Sequence, residues 1–186
     1  MCMIFIYLLI ILISFGFFFG FVTFLIFEVI AIFTTDAPFV PIPKHVEEMI
    51  VDNLGLSGGS ILYDLGCGDA RVLVRAVQKY PTICAVGVEI SFFPFLLAKF
   101  RTRKFPQISI RRENIFTTNI SDATHIFVYL YPQVVNALLL KIQTDCLPGT
   151  VLMSCDFELA NKKPDRVIAT NDTRNKRGQK ILIYAM

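Results

Sequence analysis

The chain begins with one long apolar stretch and then changes to short apolar runs that alternate with amphipathic segments. Residues 1–27 contain no charged side chain. As a helix this stretch would extend about 40 Å, whereas the hydrocarbon layer of a bilayer is about 30 Å thick. The pattern therefore predicts a transmembrane helix, and we assign the anchor to residues 1–33.

A cleavable signal peptide is the alternative interpretation of this stretch. Signal peptides have a positively charged beginning, a shorter apolar core and a cleavage site with small residues. None of these features is clear here. Gly16 and Gly20 permit close pairing with another helix, although membrane helices also tolerate glycines that have no such role. We expect an uncleaved helix that contacts the lipid bilayer through residues 3–27.

Strand-like and helix-like segments alternate beyond the anchor. A proline-rich connector, residues 34–43, comes first, and its prolines restrict it to extended geometry. Short apolar runs then predict strands at 60–65, 83–88, 108–112, 123–129, 150–154, 166–170 and 180–184. Helical spacing of apolar residues predicts helices within 46–54, 72–80, 96–100 and 134–142. This alternation predicts an α/β domain over residues 44–186.

The helix after the second strand has both an apolar and a basic set of residues. We expect Leu96, Leu97 and Phe100 to cover the sheet. The outer side would then carry Lys99, Arg101, Arg103 and Lys104. Such a basic side is usually solvated, and contact with anionic headgroups is the alternative beside a membrane.

The stretch with the clearest chemistry is the junction between the first predicted strand and the helix after it. Gly66 and Gly68 form a Gly-x-Gly turn there. Glycines tolerate positive φ and have no Cβ, so a ligand can approach the backbone beside the positive end of the helix. Glu89 ends the second predicted strand, twenty-one residues after Gly68. A carboxylate at that place can accept hydrogen bonds from both hydroxyls of a ribose.

Asp64 indicates which nucleoside-containing ligand this turn binds. It stands just before the turn, where a dinucleotide fingerprint usually carries a glycine. Its carboxylate can receive an ammonium group directly or through water. S-adenosylmethionine has such a group and NAD has none at that place, so the motif favours S-adenosylmethionine. An ordinary strand-to-helix turn remains the alternative for the glycines taken alone.

Charge and cysteine usage refine this description. The net charge is +3, and every Lys and Arg lies beyond residue 43. With no basic residue before the predicted span, the positive-inside rule favours a cytoplasmic location for the C-terminal part. The five cysteines form no Cys-x-x-Cys pair and have no His at metal-binding spacing. We therefore expect reduced thiols and no metal site.

Four short motifs together resemble a known family. Asp-Leu-Gly-Cys-Gly-Asp at residues 64–69 is similar to the first motif of the class I, seven-strand S-adenosylmethionine methyltransferases. The others are Ala-Pro-Phe-Val-Pro at 37–41, Tyr-Leu-Tyr-Pro at 129–132 and Ser-Cys-Asp-Phe-Glu at 154–158. Together the motifs resemble two groups of protein-lysine methyltransferases. One group is the small archaeal enzymes, and the other is the single-span mitochondrial enzymes that act on the ATP synthase c-subunit or the adenine nucleotide carrier. The resemblance covers roughly residues 36–171.

The resemblance implies a Rossmann-like sheet of seven strands, mostly parallel and closed by an antiparallel hairpin, with S-adenosyl-L-methionine as the methyl donor. In the superfamily an acid at the position of Asn114 usually accepts from the adenine amino group, and the amide of the next residue meets the ring. An Asn can still accept through its carbonyl oxygen. The implied donor-binding residues are Asp64, Gly66, Cys67, Gly68, Asp69, Arg71, Glu89, Asn114 and Ile115.

The acceptor side is also implied by the resemblance. Phe39 and Pro41 would shape the acceptor channel, and Tyr129 would line it or hold the sulfonium by its ring face. The Asn/Asp-Pro-Pro-Tyr tetrad of DNA and glutamine methyltransferases is absent at residues 129–132, which argues against those substrates. Asp156 and Glu158 could orient an incoming ammonium group, or either could simply cap the polar turn that follows.

These observations predict a membrane-anchored methyltransferase that modifies a lysine of a protein. A membrane protein is one such acceptor, and we expect no nucleic-acid partner. The catalytic domain would lie on the cytoplasmic side, or on the matrix side in a mitochondrion. A methyltransferase for a lipid, quinone or other small acceptor is one alternative. An inactive scaffold that keeps the fold is the other.

Overall fold

The computed structural model describes residues 2–34, 42–160, 162–170 and 178–186. The chain divides into two compact units, Met1–Pro38 and Phe39–Met186. Helix α1 (Cys2–Thr34) lies in the first unit. The second unit contains a sheet and the helices that cover it.

Helix α1 has the length and composition of a membrane-spanning segment. Its Met3–Phe27 portion is long and apolar enough to cross a bilayer, a test that a signal sequence near the N-terminus also passes. The Ser and Thr side chains in this portion bond to the helix itself. Ser14 donates to the Ile10 carbonyl at 2.8 Å, and Thr23 donates to the Phe19 carbonyl. Their polar groups are therefore satisfied without water, as an apolar environment requires.

The second unit alternates strands and helices as the hydrophobic pattern predicts. Its helices are α2 (Lys44–Asn53), α3 (Arg71–Lys79), α4 (Phe92–Thr102) and α5 (Pro132–Asp145). Its strands are β1 (Ile61–Leu65), β2 (Cys84–Val88), β3 (Ile108–Arg111), β4 (His125–Val128), β5 (Val151–Cys155), β6 (Arg166–Ala169) and β7 (Lys180–Ala185). Each predicted strand coincides with an observed one.

The strands form one seven-stranded sheet in the order β3-β2-β1-β4-β5-β7-β6. Strands β1 to β5 pair in parallel, and β7 pairs antiparallel with both β5 and β6. The predicted mostly parallel sheet with an antiparallel closing hairpin is confirmed. The strand order reverses direction at β1, between β2 and β4. Open α/β sheets bind ligands outside the carboxyl ends of the strands at such a reversal.

Helices cover both faces of the sheet. The connections from β1 to β2 and from β2 to β3 run toward one edge of the sheet, and the connection from β4 to β5 runs toward the other edge. Right-handed crossovers then place α3 and α4 on one face and α5 on the other. Helix α3 buries one apolar stripe, made of Val72, Leu73, Ala76 and Val77. Helix α5 buries another, made of Val134, Val135, Leu138 and Ile142.

Helix α4 is oriented differently from our prediction. The residues that we expected to cover the sheet, Leu96, Leu97 and Phe100, are exposed. The side that packs inward carries two small residues, Ala98 and Thr102, and the Thr102 hydroxyl donates to the Ala98 carbonyl at 2.8 Å. The predicted orientation was wrong. The helix packs closely on the sheet through its small residues, because large side chains on that side would hold the helix further away.

Close packing at Gly87 in β2 sets the distance between the sheet and the turn after β1. A Cβ atom at Gly87 would lie 2.7 Å from the Cys67 sulfur and 2.8 Å from methyl groups of Leu73 and Ile110. Real Cβ atoms do not approach other atoms this closely. The turn can therefore pack against β2 only because residue 87 has no side chain.

We expect Gly87→Ala to lower the free energy of unfolding by about 1–3 kcal/mol, because the added methyl group overfills a packed core. Urea unfolding followed by the near-ultraviolet circular dichroism of the buried Tyr63 and Tyr184 measures this change. The control is Gly58→Ala, whose Cβ would meet only the Thr82 hydroxyl, at 3.4 Å. It should change the free energy of unfolding by less than about 0.5 kcal/mol. Identical unfolding curves for the two variants would contradict the packing argument.

Candidate donor site at the carboxyl edge of the sheet

The turn between β1 and α3 is held by the end of β2. The amides of Gly66 and Cys67 both donate to the carbonyl of Val88, at 2.9 and 3.0 Å. Gly66 and Gly68 have φ angles of +82° and +54°, which favour glycine. A Cβ at Gly66 would also lie 2.7 Å from a methyl group of Leu130, so the path after β4 limits this position too.

Glu89 joins this turn to the loop that follows β2. One carboxylate oxygen accepts from the Gly68 amide at 3.0 Å, and the other accepts from the Ser91 amide at 2.8 Å. A carboxylate oxygen has two lone pairs, so each keeps one acceptor position after these bonds. Glu89 thus fixes both loops and still has acceptor capacity for hydroxyl groups.

Asp64, near the carboxyl end of β1, has a buried carboxylate without a partner among the described residues. The residue is 3% exposed. In the part of the chain that the structure describes, its carboxylate makes no hydrogen bond or ion pair. Burial raises the pKa of Asp64 well above the usual value, and the nearby Glu89 and Asp69 carboxylates raise it further. A buried, unpaired acid of this kind favours a cationic ligand, because a cation would stabilise the ionised form.

Asp69 has the opposite environment, although it lies only five residues further along the chain. Its two oxygens accept from the Arg71 guanidinium at 2.9 and 2.8 Å, and Arg101 from α4 pairs with it at 2.8 Å. Burial alone would raise the pKa of Asp69, but the Arg71 hydrogen bonds and the two positive charges lower it below the usual value. This carboxylate is therefore bound by two guanidinium groups of the protein.

Arg71 also connects the turn to the beginning of the second unit. A third guanidinium nitrogen donates to the Ile42 carbonyl at 3.0 Å and to the Glu47 carboxylate at 3.2 Å. The sequence offered no local signal for Glu47 or for the Arg101 partner of Asp69, because both lie more than twenty residues from their partners. Arg101 was predicted to lie on the outer basic side of α4, whereas it pairs inward with Asp69.

Cys67 is packed rather than reactive. It is buried, and burial raises the pKa of its thiol well above the usual value, with Asp64 and Glu89 adding to the effect. The neutral thiol is a poor nucleophile. Its small size suits the contact with Gly87.

Asn114 and Ile115 follow β3 at the same carboxyl edge. The Asn114 side-chain oxygen accepts from the Phe116 amide at 2.9 Å, and its backbone carbonyl accepts from Thr117 and Thr118. Asn114 therefore stabilises its own turn. Its predicted contact with an adenine amino group stays a prediction, as does that of the Ile115 amide.

Tyr129 follows β4 and is held by Asp156, which follows β5. The Tyr129 hydroxyl donates to the Asp156 carboxylate at 3.2 Å. The same carboxylate accepts from the amides of Gly178, Gln179 and Lys180 at 2.5, 2.6 and 3.2 Å. Asp156 has a φ of +65°, which turns the chain sharply after the strand. It thereby links the end of β4 to the start of β7.

The structure brings most of the predicted donor residues to one edge of the sheet: Asp64, Gly66, Cys67, Gly68, Asp69, Arg71 and Glu89. Phe39 and Pro41 lie outside the described residues.

His125 is buried in β4, its Nδ1 atom lies 2.8 Å from the Thr124 hydroxyl, and burial lowers its pKa. In the described ranges, no group of His, Cys, Asp or Glu side chains could hold a metal ion.

A seven-strand sheet in this order, with an acidic glycine turn after β1 and a second acid after β2, defines a class I S-adenosylmethionine-dependent methyltransferase. The residues present fit that donor. Its ammonium group matches the unpaired Asp64 carboxylate, and its ribose hydroxyls match the remaining acceptor positions of Glu89.

Comparisons with known proteins agree with this class. The family model described as "ANTKMT methyltransferase domain" matches residues 64–166. A "Protein-lysine N-methyltransferase" of Saccharolobus islandicus is 33% identical over 138 residues, which cover 73% of this chain and 86% of that protein. A human lysine N-methyltransferase, named for the ATP synthase c-subunit, is 26% identical over 135 residues, which cover 70% of this chain and 56% of that protein.

A solved structure agrees as well. An RNA methyltransferase from Salinibacter ruber in complex with S-adenosyl-L-homocysteine has a TM-score of 0.71 and 28% identity, and the match covers 78% of this chain and 93% of that one. The chain belongs to the ANTKMT methyltransferase domain family. It is an S-adenosylmethionine-dependent methyltransferase, as the sequence predicts.

We expect Asp64→Asn to weaken S-adenosylmethionine binding about 10- to 100-fold, because a hydrogen bond to a charged group contributes about 1.5–3 kcal/mol. Calorimetric titration at several pH values measures the effect. The raised pKa of Asp64 means that the free carboxyl is partly protonated at acidic pH, so donor binding should release a proton. Affinity should therefore rise with pH until Asp64 is ionised.

The Asp64→Asn variant should lose this pH dependence because it has no proton to release. Without donor, stability has the opposite pH dependence. The contribution of Asp64 to the free energy of unfolding is greatest at acidic pH and is lost as pH rises through the raised pKa of Asp64. Glu48→Gln, at an exposed acid of α2, is the matched control and should bind like the unmodified protein. Unchanged affinity of the Asp64 variant at every pH would contradict the assignment.

Proposed function

We propose that this protein transfers a methyl group from S-adenosylmethionine to the side-chain nitrogen of a lysine in another protein. The observation that carries this proposal is the 33% identity with a protein-lysine N-methyltransferase over 86% of that protein's length. The human relative is likewise named for lysine methylation. Two relatives of this kind favour a lysine acceptor over a lipid or quinone.

We assign the donor to the carboxyl edge of β1, β2 and β3. The buried Asp64 carboxylate receives the ammonium group of the donor, and Glu89 accepts from its ribose hydroxyls. Asn114 and Ile115 face its adenine ring. The donor, when bound, supplies a sulfonium methyl group that is open to in-line attack. The fixed turn contributes by positioning this methyl group before the acceptor arrives.

Among the residues that the structure describes, we assign Tyr129 to the acceptor side. It stands beyond β4, next to β1 in the sheet, and Asp156 fixes its hydroxyl. A lysine must lose its proton before it can attack, and an apolar channel favours the neutral amine. The Tyr129 ring supplies an apolar wall that can also contact a cation by its face. Phe39 and Pro41 are proposed to complete this channel.

We further propose that α1 anchors the enzyme in a bilayer. Met3–Phe27 supports this by its length and apolar composition. S-adenosylmethionine is made in the cytosol, and all Lys and Arg residues lie beyond residue 43. The methyltransferase domain is therefore assigned to the cytoplasmic side, or to the matrix side if the protein is mitochondrial. A membrane protein with an accessible lysine is the acceptor within easiest reach.

RNA is the second candidate acceptor, favoured by one observation. The Salinibacter ruber structure, at 28% identity, is of an RNA methyltransferase. Its match covers nearly the whole of that chain. An acceptor test must therefore separate protein, RNA and lipid products.

We expect the full chain, in native membranes with radiolabelled S-adenosylmethionine, to transfer label to protein. Label should resist nuclease and lipid extraction, and mass spectrometry should locate it on lysine nitrogen. Acetylating the acceptor lysines beforehand should abolish the transfer. The Asp64→Asn variant is the control for background label. Label that follows RNA or the lipid extract would overturn the lysine assignment, and no label despite donor binding would favour an inactive scaffold.

We expect Tyr129→Phe to lower kcat about tenfold, with a similar affinity for S-adenosylmethionine. The change removes the hydrogen bond to Asp156 that fixes the ring and costs part of the roughly 1.5–3 kcal/mol of a bond to a charged group. Steady-state methylation and calorimetry separate the two quantities. The control is Tyr131→Phe, since the exposed Tyr131 pairs with the Phe157 ring in a tilted arrangement, with 6.3 Å between the ring centroids, that Phe would keep. Equal kcat values for the two variants would exclude the proposed role of Tyr129.

A further inference from the structure

The large apolar residues of α4 form one continuous exposed stripe. Phe93, Leu96, Leu97 and Phe100 follow helical i, i+3, i+4, i+7 spacing and are 43%, 45%, 53% and 64% exposed. We call these four residues the outer face of α4. The opposite side of the helix packs inward through Ala98 and Thr102. A helix that faces the solvent with its largest apolar residues points to an interaction surface.

The surroundings of the outer face are strongly basic. Residues 90–112 contain no Asp or Glu, and their cations are Lys99, Arg101, Arg103, Lys104, Arg111 and Arg112. The Arg103 guanidinium lies 3.9 Å from the Phe100 ring centroid, and the Lys99 ammonium lies 5.8 Å from that of Phe95. A cation therefore contacts the outer face directly at Phe100.

We propose that the outer face of α4 docks on an anionic lipid bilayer. The Phe and Leu side chains enter the boundary between headgroups and acyl chains, and Lys99, Arg103 and Lys104 contact anionic headgroups. An apolar stripe flanked by basic side chains is the pattern of helices that lie in a membrane interface. Basic residues near such a surface each strengthen the attraction to anionic lipid.

Charge complementarity selects this occupant over a second copy of the chain. A symmetric contact between two outer faces would bring two basic rims together and oppose association. If α1 is anchored, a connector of ten residues also limits the distance from the end of α1 to the domain, because ten residues span at most about 36 Å. Only this last step rests on the anchoring by α1 that we proposed above.

Docking through α4 would also orient the donor site. Arg101 of the same helix pairs with Asp69 in the turn after β1 at 2.8 Å. The helix begins three residues after Glu89. The membrane-facing helix and the donor turn are therefore joined by direct contacts.

A tryptophan at position 100 tests the proposal, because the chain contains no Trp of its own. The full chain carrying Phe100→Trp is placed in vesicles of phosphatidylcholine with and without phosphatidylglycerol. Leu140→Trp is the matched control: Leu140 is 73% exposed and lies on α5, which covers the other face of the sheet. Calorimetric binding of S-adenosylmethionine verifies that each variant is folded.

In anionic vesicles with brominated acyl chains, Trp emission at position 100 should fall by about half, because a ring about 5–10 Å into the boundary contacts those chains. Emission at position 140 should not change. Adding Lys99→Glu and Arg103→Glu to Phe100→Trp should remove most of the quenching, as should vesicles of phosphatidylcholine alone.

Three results would overturn the proposal. The first is no quenching at position 100, and the second is equal quenching at both positions. The third is an emission change that depends on protein density rather than lipid charge, which would indicate a protein occupant. Alkaline carbonate extraction reports separately on α1, since an unanchored chain leaves the vesicles whatever α4 does. Failure of docking and failure of anchoring are thus distinguishable.

Discussion

The site depends on the attachment of the turn after β1 to the last residues of β2. Three consecutive residues make this attachment in three different ways. Gly87 leaves room for Cys67, the Val88 carbonyl accepts two amides of the turn, and the Glu89 carboxylate accepts a third. The glycine turn is thus fixed by neighbouring backbone before any ligand arrives. Preorganisation of this kind lowers the entropy that binding must overcome.

Two acids of the same short motif have opposite electrostatic environments. Asp64 is buried without a partner among the described residues, and its pKa is raised. Asp69 is held by Arg71 and Arg101, and its pKa is lowered. The first environment is costly for a folded protein unless a cation arrives, whereas the second stabilises the fold. The motif therefore combines one residue suited to a ligand with one that fastens the turn to two helices.

The carboxyl edge of the sheet is also held from the other side. Asp156 connects Tyr129 with three amides near the start of β7. The antiparallel hairpin thus supports the end of β4 directly. Helix α4 plays a different part, since it binds Asp69 through Arg101 and leaves its largest apolar residues exposed. One helix can therefore both stabilise the donor turn and present an interaction surface on the outside of the domain.

The sequence by itself determined the strands, the helices, their alternation and the glycine turn between Asp64 and Glu89. These features depend on local periodicity and turn chemistry, which are readable along the chain. Tertiary structure alone decided which side of α4 faces the sheet, because Ala98 and Phe100 lie on different sides and only packing selects between them. It also decided that Arg101 pairs with Asp69, thirty-two residues away, and that Asp156 holds Tyr129. Such contacts arise where separate strands and helices meet, and no local pattern encodes them.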